Sequence, residues 1–199
     1  MVSDPHPVIY LARHGETAWS LSGQHTGLSD LPLTARGERN AVQLGERLKG
    51  LTFAGVFTSP LQRASRTSQL AGFSDQAQIE PDLVEWDYGR YEGLRSEEIY
   101  RADPDWQLFR DGCPGGESAD DVGHRVDRVI AKIRAIQGDV LLFSSGHLLR
   151  VLAARWLGLP ASGGKHLVLS TASLSVLGYE HNLDEPVIKL WNDTSHVGP

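Results

Sequence analysis

The sequence predicts an α/β fold: a three-layer sandwich with a mostly parallel central sheet, helices on both faces and a flap insertion over the carboxyl ends of the strands. Three observations lead there. Short apolar runs alternate with amphipathic helical stretches along the chain. One of those runs, Val140-Leu141-Leu142-Phe143, is apolar throughout, as a strand covered on both faces must be. Polar residues gather just beyond several of the runs, where ligands dock in open α/β sheets. A chain of 199 residues is expected to form one domain, 1–199, with a full core.

Residues 8–12 read as a buried strand that ends abruptly in Arg13-His14-Gly15. Residues 19–31 are rich in Gly, Ser and Thr without a sustained period, so a loop is expected over that strand end. Thr34 looks like an N-cap for a helix reaching about Lys49, with Ala41, Leu44 and Leu48 at helical spacing and Gly50 as its stop. Residues 53–58 return to strand chemistry. Ser59-Pro60 then reads as a cap followed by a first-turn proline, opening a helix over residues 60–70. Residues 79–84 form another candidate strand, closing on Glu85-Trp86.

From about 87 to 116 the periodicity breaks down. Gly89, Gly93, Pro104 and the run Asp111-Gly112-Cys113-Pro114-Gly115-Gly116 mark a flap with one or two short helices. Ser118 with Asp121 resembles a capping box, and Val122, Val126, Val129, Ile130, Ile133 and Ile136 trace a long amphipathic helix. After the apolar run 140–143, Ser144-Ser145-Gly146-His147 reads as a turn. A helix follows over 148–157, closed by Gly158 and Pro160. Residues 174–179 and 187–191 are expected to be the last strands, and 192–199 a frayed tail.

Composition narrows the function. Against 25 acidic residues stand 19 Lys and Arg, a net charge of −6, with no basic run, which argues against general binding to nucleic acid or a membrane surface. A cationic site would therefore be local. The lone Cys113 leaves no internal disulfide and fits a reducing cytosol. No apolar run approaches the roughly 18 residues of a membrane span, and residues 1–7 are polar with two prolines, unlike a signal peptide. A cytoplasmic protein is expected.

Four strand ends deliver polar residues to one rim: Arg13-His14, Ser59 with Arg63 one turn on, Glu85, and Ser144-Ser145-Gly146-His147. A phosphoryl group needs such a set, with guanidinium forks on its oxygens, a nucleophile in line and an acid for the leaving oxygen. Each member also has an ordinary reading. Arg13 could pair with a carboxylate, His14 could be a polar turn residue, Arg63 a helix-surface charge and Glu85 an exposed turn carboxylate.

Taken together, several motifs resemble the histidine phosphatase superfamily, which includes cofactor-dependent phosphoglycerate mutases and many phosphomonoesterases. They are Leu11-Ala12-Arg13-His14-Gly15-Glu16-Thr17, Gly27-Leu28-Ser29-Asp30-Leu31-Pro32-Leu33-Thr34, Thr58-Ser59-Pro60 with Arg63 and Thr67, Glu85-Trp86-Asp87-Tyr88-Gly89 with Tyr91-Glu92-Gly93, Gly116-Glu117-Ser118, and Gly146 with Arg150. The resemblance implies that His14 is a nucleophile phosphorylated on nitrogen, that Arg13 and Arg63 hold the phosphoryl oxygens, and that Glu85 is the general acid and base. It implies a substrate-binding set of Ser20, Gly23, Thr26, Gly27 and His147. No metal or other cofactor is implied, since the histidines are not spaced as ligands and two arginines supply positive charge.

The chain departs from the family pattern at Ser145, where the family carries a second His just before the Gly. Either Ser145 weakens turnover or His147 serves in its place. The first is favoured, because a residue two places along a turn points in another direction. Ser20, the short chain and the flap resemble the branch of sedoheptulose-bisphosphatase-like and acid phosphatase members rather than the mutases. The expected function is a phosphomonoesterase acting on a phosphorylated sugar or similar small phosphate ester. A catalytically crippled phospho-ligand-binding protein and a phosphoglycerate mutase are the alternatives. In the flap, Trp86, Tyr88, Tyr91, Trp106 and Arg110 either touch substrate or pack the flap down, with packing favoured.

Overall fold

The structure, a computed structural model, describes residues 6–198. Six strands form one sheet: β1 (Ile9–Arg13), β2 (Gly55–Thr58), β3 (Ala77–Ile79), β4 (Val140–Ser144), β5 (Leu174–Tyr179) and β6 (Pro186–Asp193), in the order β3-β2-β4-β1-β5-β6. β3, β2, β4 and β1 run parallel, and β5 runs against both of its neighbours. The helices are α1 (Ala18–Ser22), α2 (Ala35–Leu48), α3 (Gln62–Ser68), α4 (Ser96–Ala102), α5 (Leu108–Asp111), α6 (Ala119–Arg134) and α7 (Gly146–Trp156). The mixed α/β sandwich expected from the sequence is thus present.

The apolar run of β4 has a direct cause. Successive strand side chains point to opposite faces, and both faces are covered. Val140 and Leu142 join a core shared with Val122, Val126 and Ile133 of α6 and Leu149 and Leu152 of α7. Leu141 and Phe143 join a second core with Leu44 and Leu48 of α2 and Phe73. All five residues of β4 are buried. In the β1–β4 register Arg13 lies opposite Ser144, so the two central strands release their ends side by side. The site forms on that edge.

Several boundaries differ from the sequence reading, each for a physical reason. The 19–31 loop contains α1, which Thr17 and Ser20 cap reciprocally and Gly23 closes in the left-handed conformation, φ 78°. α3 begins at Gln62 rather than Pro60, because Asp30 of the preceding loop accepts from the Gln62 amide (2.7 Å) and supplies the cap assigned to Ser59. A π-helical stretch, Gln69–Phe73, extends α3. β3 stops at Ile79, since Pro81 cannot donate to a ladder and opens a 3₁₀ turn, Pro81–Leu83. α7 starts two residues early, at Gly146, with Ser145 as N-cap, so His147 is helical rather than in a turn.

The insertion holds α4 and α5 and is packed down. Trp86, Tyr88, Trp106, Phe109 and Cys113 are buried in the core shared with α6 and α7, while Arg110 is exposed and pairs with Asp111. The expected frayed tail is ordered: β6 runs to Asp193, His196 Nε2 donates to Ala172 O (2.9 Å), and the Gly198 amide donates to Gln43 (3.3 Å). A tail whose polar groups find buried partners does not fray. Residues 1–5, on which the signal-peptide reading mostly rests, and Pro199 lie outside the described residues. Among the described residues no helix is long and apolar enough to cross a membrane.

Candidate active site

The end of β1 places Arg13 and His14 against the end of β4, where the His14 amide donates to Ser144 O (2.9 Å). The next residue must be Gly, because a Cβ on Gly15 would collide with the backbone of Gly37. Thr67 of α3 fixes the turn: its hydroxyl accepts from the Gly15 amide (3.0 Å) and donates to Arg63 O (2.7 Å). The imidazole of His14 is 4% exposed. Its Nδ1 lies 2.7 Å from Gly15 O. A carbonyl can only accept, so Nδ1 carries the hydrogen and Nε2 keeps its lone pair. Burial holds the His14 pKa well below its ordinary value, and the positive charges of Arg13 and Arg63 depress it further, against the opposing pull of the Gly15 bond. The ring is neutral and oriented, with Nε2 carrying the lone pair that nucleophilic attack would need.

Beside it lies a cavity of about 100 Å³ lined by Arg13, His14, Ser20, Gln24, His25, Thr26, Glu85, Tyr88, Gly146, His147, Arg150 and Leu169. Sites that enclose a whole drug-sized ligand occupy roughly 300–1,000 Å³, so this cavity suits a small head group with the remainder in the mouth. A larger open groove of about 490 Å³ flanks α2 and α3, remote from these groups, and Glu38 and Arg66 on its wall neutralise each other.

Glu85 is 4% exposed and held by backbone donors: Oε1 accepts from the Trp86 amide (2.9 Å) and the Leu148 amide (2.8 Å), and Oε2 from the His147 amide (3.0 Å). Two of these amides belong to the first turn of α7, whose unpaired N–H groups favour an anion. Below it, Arg125 of α6 donates to the carbonyls of Asp82, Val84 and Glu85 and to the Glu117 carboxylate, fixing the segment that carries Glu85.

The arginines divide their work. Arg13 donates from Nη1 to Leu169 O, packs its guanidinium against Gly146 and leaves a buried Nε without a partner. Arg63 is fully buried, does not line the cavity, and gives its Nη groups to the carbonyls of Thr26, Gly27 and Ser29. Its Nε donates to Ser145 Oγ (3.3 Å). Ser145 is 1% exposed at the N-cap of α7 and likewise stands behind the cavity wall.

Ser20, Thr26 and His147 line the cavity. Gly23 and Gly27 do not: Gly23 closes α1, and the Gly27 amide donates to the Glu92 carboxylate (2.9 and 3.0 Å). His147 is fixed by a 2.5 Å hydrogen bond between Nδ1 and the Tyr88 hydroxyl and by edge contacts with Tyr88 and Phe109. It does not reach the strand-end position of Ser145. Burial, then the charges of Arg150, His25 and Arg13, hold the His147 pKa well below its usual value, while burial and Glu85 push Tyr88 well above its own. The pair is uncharged.

The sequence reading assigned no role to Gln24, His25, Arg150 or Leu169, which the cavity brings in. Arg150 carried a legible signal, since it sits three residues after His147 on one helix face; its guanidinium lies over the Phe109 ring at 4.8 Å. Leu169 carried none. Among the described residues no group of three or more His, Cys, Asp or Glu is placed to hold a metal.

Residues 9–194 match the profile of the histidine phosphatase superfamily (branch 1). An acid phosphatase of Mycobacterium tuberculosis is 39% identical over 179 residues, covering 88% of each chain. Sedoheptulose 1,7-bisphosphatase of Saccharomyces cerevisiae is 32% identical over 251 aligned positions, covering 92% of each. A solved structure from a Mycobacterium tuberculosis open reading frame superposes with a TM-score of 0.88 at 37% identity, over 94% of this chain and 97% of that one.

Proposed function

The chain belongs to branch 1 of the histidine phosphatase superfamily, and on that premise we propose that it hydrolyses a small phosphate monoester, such as a sugar phosphate, through a phosphohistidine on His14. The observation that carries this reading is the state of His14: neutral, oriented by Gly15, and open at Nε2 beside Arg13 and Glu85. The names of the acid phosphatase and bisphosphatase relatives support the substrate class.

In the first step His14 Nε2 attacks phosphorus, the ester P–O bond breaks, and Glu85 protonates the leaving oxygen. In the second a water attacks the phosphohistidine, Glu85 takes its proton, and the P–N bond breaks to release inorganic phosphate. Arg13 and Arg150 reach the equatorial oxygens from the cavity wall. Arg63 contributes its charge from behind the wall and, through its bonds to Thr26, Gly27 and Ser29, holds the loop that carries Thr26. Ser20 and Thr26 contact the ester, and His147 with Tyr88 forms an uncharged wall beside it.

Ser145 sets the speed. A hydroxyl supplies a hydrogen bond but no positive charge, and losing one charged donor to a developing oxyanion slows reaction by on the order of 10²–10³. Phosphorylated His14 is therefore expected to clear slowly. Incubation with ³²P-labelled phosphate ester tests this: label that is acid-labile and absent from His14→Ala, together with released phosphate, supports a slow hydrolase. Stoichiometric label without turnover supports a crippled enzyme that binds phospho-ligands, the second reading that Ser145 favours. No label on His14 overturns the nucleophile assignment.

A further inference from the structure

We infer that residues 191–196 act as a clasp that holds Arg13 and His14 in position through the 168–173 loop. Three side chains of this segment grip alternate residues of the loop. Trp191 Nε1 donates to Val168 O (2.7 Å), Asn192 Oδ1 accepts from the Ser170 amide (2.7 Å), and His196 Nε2 donates to Ala172 O (2.9 Å). Three other backbone groups of the loop bond Arg13 and His14. Leu169 O accepts from Arg13 Nη1, Ser173 O accepts from the Arg13 amide (3.1 Å), and the Ala172 amide donates to His14 O (2.9 Å). Leu169 also lines the cavity. The loop is thus gripped at 168, 170 and 172 on one side and grips Arg13 and His14 on the other.

The loop would not hold this shape unaided. Ala172 is fully buried with φ 55°, a left-handed conformation that strains a residue bearing a Cβ. Such a residue persists where its surroundings over-determine it, and here the surroundings are the His14 carbonyl on one side and the His196 ring on the other. Asn192 also has positive φ, 56°, which Asn tolerates better than most residues. That conformation falls at an irregularity in the β5–β6 register, with Asp193 still paired opposite Leu174, and the Asn192 amide is secured on Ser175 Oγ (3.0 Å). Trp191, Asn192 and His196 touch no cavity atom, so their role is positioning.

Positioning of the nucleophile matters to rate far more than to binding, since small misplacements of reacting groups cost orders of magnitude. The inference rests on His14 being the nucleophile, and two measurements keep the two claims apart. Hydrogen exchange followed by NMR reads the clasp itself. His196→Ala is expected to speed exchange of the Ala172 amide by at least about 10-fold and leave the Leu142 amide of β4 unchanged, as local opening requires. Rapid-quench labelling of His14 with p-nitrophenyl phosphate reads its consequence: kcat and the phosphorylation rate fall by about 10-fold while KM stays within about twofold. Trp191→Phe, which keeps an aromatic ring but removes the N–H donor, shifts both readouts the same way by less. Adding Ala172→Gly to His196→Ala restores most of the rate, because Gly adopts the left-handed conformation without strain. Unchanged exchange at Ala172 overturns the clasp, as does faster exchange with an undiminished labelling rate. A wild-type protein that takes no label on His14 overturns the hydrolase reading, and the exchange comparison still decides the clasp.

Discussion

His14 is held uncharged, as the proposed attack requires, and the means that keep it so also shape how the protein responds to acid. Burial holds His14 and His147 well below the ordinary histidine value of 6.5, and His25 below it by a lesser margin. Under about pH 6.5 the unfolded chain takes up protons on these rings that the folded chain refuses. The contribution of these rings to stability is therefore fully present above that pH and falls below it, by up to about 1.4 kcal/mol per pH unit for each ring. Urea unfolding at pH 7.5 and 5.5 measures the slope, and His147→Asn is expected to reduce it by one ring's share. A second prediction belongs to Ser145. Ser145→His, placing an imidazole beside Arg63 and the phosphoryl group, is expected to raise turnover by about 10²–10³, read as phosphate release from a generic ester; an unchanged rate would remove Ser145 from the catalytic account.

Individual elements carry the site by holding backbone. Arg125 on α6 bonds three carbonyls of the segment leading to Glu85 and pairs with Glu117 at 2.7 Å, with both side chains largely buried. Arg125→Ala leaves those acceptors unpaired and is expected to cost about 2–3 kcal/mol and to lower kcat through Glu85, checked by chemical denaturation alongside kinetics. Directly after Glu117, Ser118 caps α6 with Asp121 in return, and Ser118→Ala is expected to cost about 1 kcal/mol with kcat unchanged. Elements of this kind were largely legible. α2 and α6 declared themselves by caps and apolar spacing, and β4 by its unbroken apolar run. What escaped was decided by partners distant in the chain. Asp30 moved the start of α3, and the residues after β6 were ordered by the loop before β5 and by Gln43 of α2, whereas the packing of Trp86, Tyr88 and Trp106 into the core was the favoured expectation. Gln24, His25 and Leu169 reach the cavity only through such distant partners, so no local pattern marks them, whereas Arg13 and His14 stand at a strand end, which local patterns do mark; Glu85, expected to close a strand, instead follows the Pro81–Leu83 turn beyond β3.

At the scale of the whole molecule, a chain with net charge −6 concentrates Arg13, Arg63 and Arg150 around one small cavity on the edge of a sheet cored on both faces. The centre of that sheet carries both cores, and Leu142→Ala, which empties a fully buried position, is expected to cost about 3–5 kcal/mol, seen as a lower midpoint in urea. The strand order has a further consequence, one of timing. Ile9 pairs with Val140 and with Leu177, and the His14 carbonyl accepts from the Ala172 amide of the loop before β5. During synthesis the first strand must therefore wait for residues 140–144 to gain one neighbour and for residues 174–177 to gain the other. A topology with such distant pairings folds slowly and completes the surroundings of His14 late. Ribosome-bound chains that stop short of β5 would accordingly show helices without a chemically competent His14, and the ability to take up a phosphoryl group would report that synthesis had finished.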